Sequence, residues 1–66
     1  MNAKQFKAHV ASIIALRETS YDWDELHYTL THEQAARHCG VPRQWIELVA
    51  AYAMAVDPVM RQKPCR

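Results

Sequence analysis

Four histidines and two cysteines are the side chains of this 66-residue chain best suited to metal or nucleophilic chemistry. His32-Glu33 opens like the H-E-x-x-H signature of zinc proteases, but the place of the second histidine is held by Ala36. His38 and Cys39 adjoin, and neighbouring positions on a helix point about 100° apart. They cannot share one metal, or act as nucleophile and base, without further ligands. His9 and His27 have no evident partners. With a single glycine there is no Gly-rich phosphate loop. Cys39 suits packing as a small hydrophobe. A Cys39–Cys65 bridge is disfavoured in a reducing compartment. Neither catalysis, nor a metal, nor a cofactor is expected.

The chain must therefore act through surfaces, and composition says what kind. Half of its residues are apolar, too many for a disordered chain, and one glycine is too few for a turn-rich β-sandwich. Eight Lys/Arg stand against seven Asp/Glu, a formal +1, which argues against a basic nucleic-acid arm and an acidic tail. The longest apolar run, Leu48 to Val56, is nine residues, whereas a bilayer span needs about twenty. Met1-Asn2-Ala3-Lys4 shows neither an h-region nor a cleavage site. A cytoplasmic location without membrane contact is expected. A single domain this small buries only about 60% of its unfolded surface, so self-association is an expected remedy.

The elements follow from periodicity and caps. Phe6, Val10, Ile13, Ile14 and Arg17 form one helical stripe, predicting an amphipathic helix over 4–17 that ends in a cation. Residues 18–30 are ambiguous. Asp22 and Glu25 have capping-box spacing for a short helix, whereas Leu26, Tyr28 and Leu30 alternate as in a strand. A strand has no evident partner, which favours a short helix or an irregular connection. Arg17 to Glu33 holds five acids and one base, a local net of −4. Thr31 and Gln34 form a cleaner capping box for a helix running to about Cys39 and closed by Gly40. Pro42 suits the first turn of the next helix, which Asp57-Pro58 should end. The segment 58–66 is expected to fray.

Two helices joined by a short glycine-containing turn make a helix-turn-helix unit. Thr31 to Val49 resembles the helix-turn-helix of bacterial and phage regulators, with Ala36 as the small residue in the first helix, Gly40 at the turn, Val41 after it, and Ile46 and Val49 inside the second helix. Physically, Ala35 and Ala36 permit close approach, and Val41, Ile46 and Val49 fill the gap. The fold expected is all-α: a small helix-turn-helix-containing bundle of three to four helices, one domain over 1–66 with the unit at 31–56, forming a homodimer. The alternative is an ordinary αα-hairpin.

The resemblance implies a groove-facing set at Pro42, Arg43, Gln44, Trp45, Glu47, Leu48 and Ala51. Arg43 and Gln44 are good base readers. Trp45, Leu48 and Ala51 are not, and Glu47 opposes phosphate. Arg37, Arg43 and Gln44 are the DNA-binding candidates, without a clear basic stripe to neutralise phosphates. Ile46, Val49, Ala50 and Ala53 serve the core, while Trp45, Leu48, Tyr52 and Ala55 form a second apolar stripe. A helix apolar on all sides must be buried on all sides. A protein-binding ridge of Trp45, Leu48 and Tyr52, edged by Arg43 and Glu47, is therefore expected to meet another copy or another protein. Packing of Trp45 and Tyr52 on the first helix is the alternative.

In size, charge balance and the aromatic Trp45 of its second helix, the chain also resembles the phage-encoded anti-activators that silence quorum sensing. That resemblance implies a dimer that grips a LuxR-type transcription activator and blocks its DNA binding. Some such proteins also act on a pilus-assembly ATPase. A non-enzymatic inhibitor of another protein is the leading expectation, and a sequence-specific DNA-binding regulator is the second. A purely structural component is the third.

Overall fold

The computed structural model describes residues 1–60, with side chains through Asp57. Helix α1 spans Ala3–Thr19, helix α2 His32–His38 and helix α3 Ile46–Met60, with a 3-10 turn at Arg43–Trp45 before α3. Between α1 and α2 lies an antiparallel ribbon of β1 (Tyr21–Asp22) and β2 (His27–Tyr28). Over the described residues the molecule is mostly helical, with three α-helices around one core and a two-stranded ribbon beside them.

The predicted stripe of α1 is the face that goes inside. Val10, Ile13 and Ile14 are buried and Phe6 packs against them. The start of α1 was not foreseen: Asn2 and Gln5 form a reciprocal capping box. The box at the start of α2 forms as its sequence dictates. Gln34 N donates to Thr31 Oγ1 at 3.1 Å, and Thr31 N donates to Gln34 Oε1 at 2.9 Å.

Gly40 ends α2 with φ +78, a conformation costly for residues with a Cβ. Its N–H donates to Arg37 O, and Val41 N–H donates to Ala36 O, both at 3.2 Å. This pair of bonds is a Schellman closure. Ala35, Ala36, Val49 and Ala53 are fully buried, with Val41 and Ala50 nearly so. Small side chains on α2 and α3 thus let the two helices close together over Ile13.

Three expectations need correction. No helix forms over 22–30, because the strand finds its partner five to seven residues along the chain: Tyr21 pairs with Tyr28 and Asp22 with His27. Asp22 does accept hydrogen bonds as an N-cap would, from Asp24 N at 2.9 Å and Glu25 N at 3.1 Å. Leu26 then turns to φ +60, and the chain reverses rather than winding on.

Pro42 stands just ahead of the next helix instead of inside it. Its carbonyl accepts from Trp45 N at 2.8 Å, and the first turn is 3-10.

Pro58 does not stop α3, which continues to Met60. The α3 turn at Asp57 is fastened from outside the helix, which outweighs the bias of a pre-proline residue against α geometry. Arg17 Nη1 donates to Asp57 Oδ2 at 3.1 Å, and His32 Nε2 lies 3.0 Å from the same oxygen. Arg17 Nε also donates to Leu30 O at 2.8 Å. One guanidinium thereby ties α1, the start of α2 and the end of α3. Of the tail expected to fray, residues 61–66 lie outside the described residues.

Candidate functional site

Helix α3 is positioned by its inner face. Val49, Ala50, Ala53 and Asp57 are buried, with Ile46 and Val56 partly so. Six side chains between Ile46 and Asp57 remain exposed: Glu47, Leu48, Ala51, Tyr52, Met54 and Ala55. One of the six is charged. Leu48 is 52% exposed, Tyr52 49% and Met54 56%. A surface helix ordinarily carries charged and polar groups on that side. This one presents an almost continuous apolar face.

The expected ridge is only partly assembled. Leu48 and Tyr52 stand on the outward face. Tyr52 is also steadied from the side, its ring meeting that of Phe6 edge-on at 5.1 Å and 80°. Trp45 is half-buried in the 3-10 turn and packs against the core. It belongs partly to the fold itself. Met54 was missed because it lies off the Trp45–Leu48–Tyr52 stripe. It emerges once every α3 position not taken by the core is assigned to the outside.

The DNA-reading candidates do come together. Arg37, Arg43 and Gln44 line an open groove of about 1000 Å³ between α2 and the start of α3. Glu33, Ile46 and Glu47 line it as well. Arg37 Nη2 donates to Glu33 Oε2 at 2.9 Å across one helical turn. The groove thus sets two carboxylates beside two guanidinium groups. Phosphate would gain little at Arg37, whose charge Glu33 already offsets, and Glu47 on the same wall opposes an anion.

Cys39, at the end of α2, is partly buried and has no disulfide partner among the described residues; Cys65 lies outside them. Burial pushes its thiol pKa above the ordinary value. The thiolate is the reactive form, so this environment quietens the nucleophile. Among the described residues no group of three or more His, Cys, Asp or Glu side chains is placed to hold a metal ion. No helix among them is long and apolar enough to cross a membrane.

Comparison of the chain with family models, with curated proteins and with solved structures gives no match.

Proposed function

We propose that this protein is a small non-enzymatic regulator that binds and inhibits another protein through the outward face of α3. The observation that carries the reading is the composition of that face: Leu48, Tyr52, Met54, Ala51 and Ala55 exposed together, with Glu47 the one charge. Exposed apolar side chains in contiguity mark interaction surfaces. Tyr52 supplies an aromatic anchor of the kind enriched at binding hot spots, and Arg43 and Glu47 supply polar edges. With no partner at hand, a second copy covers the same surface, giving a homodimer that the partner displaces.

The resemblance to phage anti-activators favours a LuxR-type transcription activator as the partner. Binding would act by steric competition, with the apolar face seated on the activator where its DNA contact is otherwise made or supported. The test is direct. Purified protein should suppress the shift of promoter DNA by a LuxR-type activator, and Leu48→Lys should abolish the suppression without loss of helicity. Full suppression by Leu48→Lys, together with a wild-type monomer at micromolar concentration, would remove the α3 face from the mechanism.

DNA binding is the second reading, favoured by the gathering of Arg37, Arg43 and Gln44 in one groove. It predicts that the protein alone shifts DNA flanking its own gene at low salt, and that Arg43→Ala removes the shift. Glu33 and Glu47 in the same groove place this reading behind the first.

A further inference from the structure

The groove between α2 and α3 carries its charges in a definite order. Two hollows make it up, of about 1000 and 480 Å³, and both have Glu33 and Glu47 as walls. They therefore run together as one channel. Helices α2 and α3 border it in opposite senses. His32, at the start of α2, lies 3.0 Å from Asp57 toward the end of α3, while Arg37, in the last turn of α2, lines the same hollow as Arg43. On both borders the acid lies toward the middle of the channel and the cation lies four positions nearer the Gly40 turn: Glu33 then Arg37 on one side, Glu47 then Arg43 on the other. The channel thus has an acidic middle and a basic end.

One of the two acid–base sets is used within the chain and the other is not. Arg37 and Glu33 pair at 2.9 Å across one turn of α2. The same spacing does not bring Arg43 to Glu47, because Arg43 sits in the 3-10 turn ahead of α3, where side chains four apart no longer stack. Neither the Arg43 nor the Glu47 side chain makes a hydrogen bond or an ion pair among the described residues. Both are exposed. Beyond Glu47 the lining turns apolar, with Ala50, Ala51 and Met54. Glu47, Ala51 and Met54 also belong to the outward face of α3, so whatever fills the channel covers part of that face.

We infer that a second copy of this chain seats on the α2–α3 channel turned end for end, with Arg43 of each copy against Glu47 of the other. The inference rests on the homodimer of the preceding reading and states how its copies meet. The order of charges decides the seating. A two-fold axis across the channel lays the basic end of one copy over the acidic middle of the other, and the two contacts are equivalent, as a two-fold interface requires. Seating in the same sense would set Arg43 on Arg43 and Glu47 on Glu47, which like-charge repulsion disfavours. A foreign segment would need the same order reversed, and this chain already carries it. A formal charge of +1 leaves two copies little reason to repel. Exposed ion pairs add little affinity. Their part is register, while Ala50, Ala51, Met54 and the partly buried Ile46 supply apolar area to remove from water.

Sedimentation equilibrium of the full chain tests the seating. The wild type should dimerise at micromolar concentration. Arg43→Glu and Glu47→Arg should each weaken the dimer at least about tenfold, since each sets like charges face to face. An equimolar mixture of the two variants should regain the dimer, because one copy then brings two acids and the other two bases. The double variant Arg43→Glu, Glu47→Arg should regain it alone, because the exchange keeps both pairings. Single reversals that dimerise like the wild type, a mixture or a double variant that stays apart, or a monomeric wild type would overturn the inference. Reversals that leave the dimer intact but abolish suppression of the activator's DNA shift would give the channel to the inhibited partner instead. The inhibitory reading is judged separately by Leu48→Lys. A wild type that suppresses the shift as a monomer, with Leu48→Lys inactive, sinks the seating and leaves that reading standing. Both reversed residues are exposed, so the variants should keep their helicity. If one does not, Arg43→Gln and Glu47→Gln take its place, each expected to weaken the dimer several-fold, and an unchanged dimer would count against the seating.

Discussion

Arg17 and Asp57, forty positions apart, meet with Nη1 and Oδ2 at 3.1 Å, their side chains only 14% and 7% exposed. A buried pair of this kind gains little over a well-packed apolar pair, but removing one partner leaves a charge in a poor solvent. Asp57→Asn should therefore lower unfolding stability by about 3 kcal/mol in urea. The double variant Arg17→Met, Asp57→Asn should recover more than about 1 kcal/mol of that loss, because neither charge then remains. Strict additivity of the two substitutions would show that the contact is not coupled. The same loss should shorten α3, since the turn containing Asp57 and Pro58 is fastened there.

Two residues with positive φ make a matched test of backbone strain. Gly40 has φ +78 and nothing within 4 Å of the place a Cβ would occupy. Gly40→Ala should then cost about 1 kcal/mol from conformation alone. Leu26 has φ +60, is largely exposed, and carries a side chain that this region disfavours. Leu26→Gly should raise stability by about 0.5 kcal/mol, the relief of strain less the added chain entropy. A loss of stability there would mean that the Leu26 side chain makes a contact worth more than the strain.

These elements also show what could be read from the sequence. The α1 stripe, the Thr31–Gln34 box and the Gly40 turn rest on bonds spanning a few residues, so spacing alone reveals them. The ribbon does not: Asp22 and Glu25 satisfy a capping-box spacing whether the next residues wind on or reverse. The decision falls to the Leu26 backbone and to pairing with Tyr28. The persistence of α3 past Pro58 depends on Arg17, forty positions away, which no local pattern reports. At the candidate site, the exposure of Leu48 and Tyr52 follows from helical period. The partial burial of Trp45 depends on the 3-10 turn that carries it, and was open until that turn was seen. The contacts of the Tyr21 ring with Trp23 and Tyr28 rest on ring orientations, for which sequence spacing has no signal.

Cys39 gives a pH-dependent expectation. Burial raises its pKa, so the folded protein holds the proton at pH values where the unfolded chain releases it. This contribution to stability is complete below the ordinary thiol pKa, about 8.5, and is lost as pH rises toward the folded value. In a Cys65→Ser background, iodoacetamide should modify Cys39 with a half-maximal rate at higher pH in buffer than in urea. A lower midpoint in buffer would mean that a cation or helix end stabilises the thiolate, contrary to the burial.

Trp45 and Leu48 lie three positions apart and should separate folding from binding. Trp45 packs against the core from the 3-10 turn, so Trp45→Ala should cost about 2 kcal/mol in stability by leaving a cavity that the neighbouring helices fill only in part. Leu48 is half exposed, and Leu48→Ala should change stability by less than about 0.5 kcal/mol. If the outward face of α3 is the binding surface, the order reverses in the partner assay. Leu48→Ala should weaken binding by about 1 kcal/mol or more. Trp45→Ala should weaken it through population of the folded state, and the deficit should shrink on cooling from its lowered melting range or on adding a stabilising osmolyte, which favours burial. A Trp45→Ala defect that persists in fully folded protein, with Leu48→Ala binding normally, would move the contact from the outward face to the 3-10 turn and its groove.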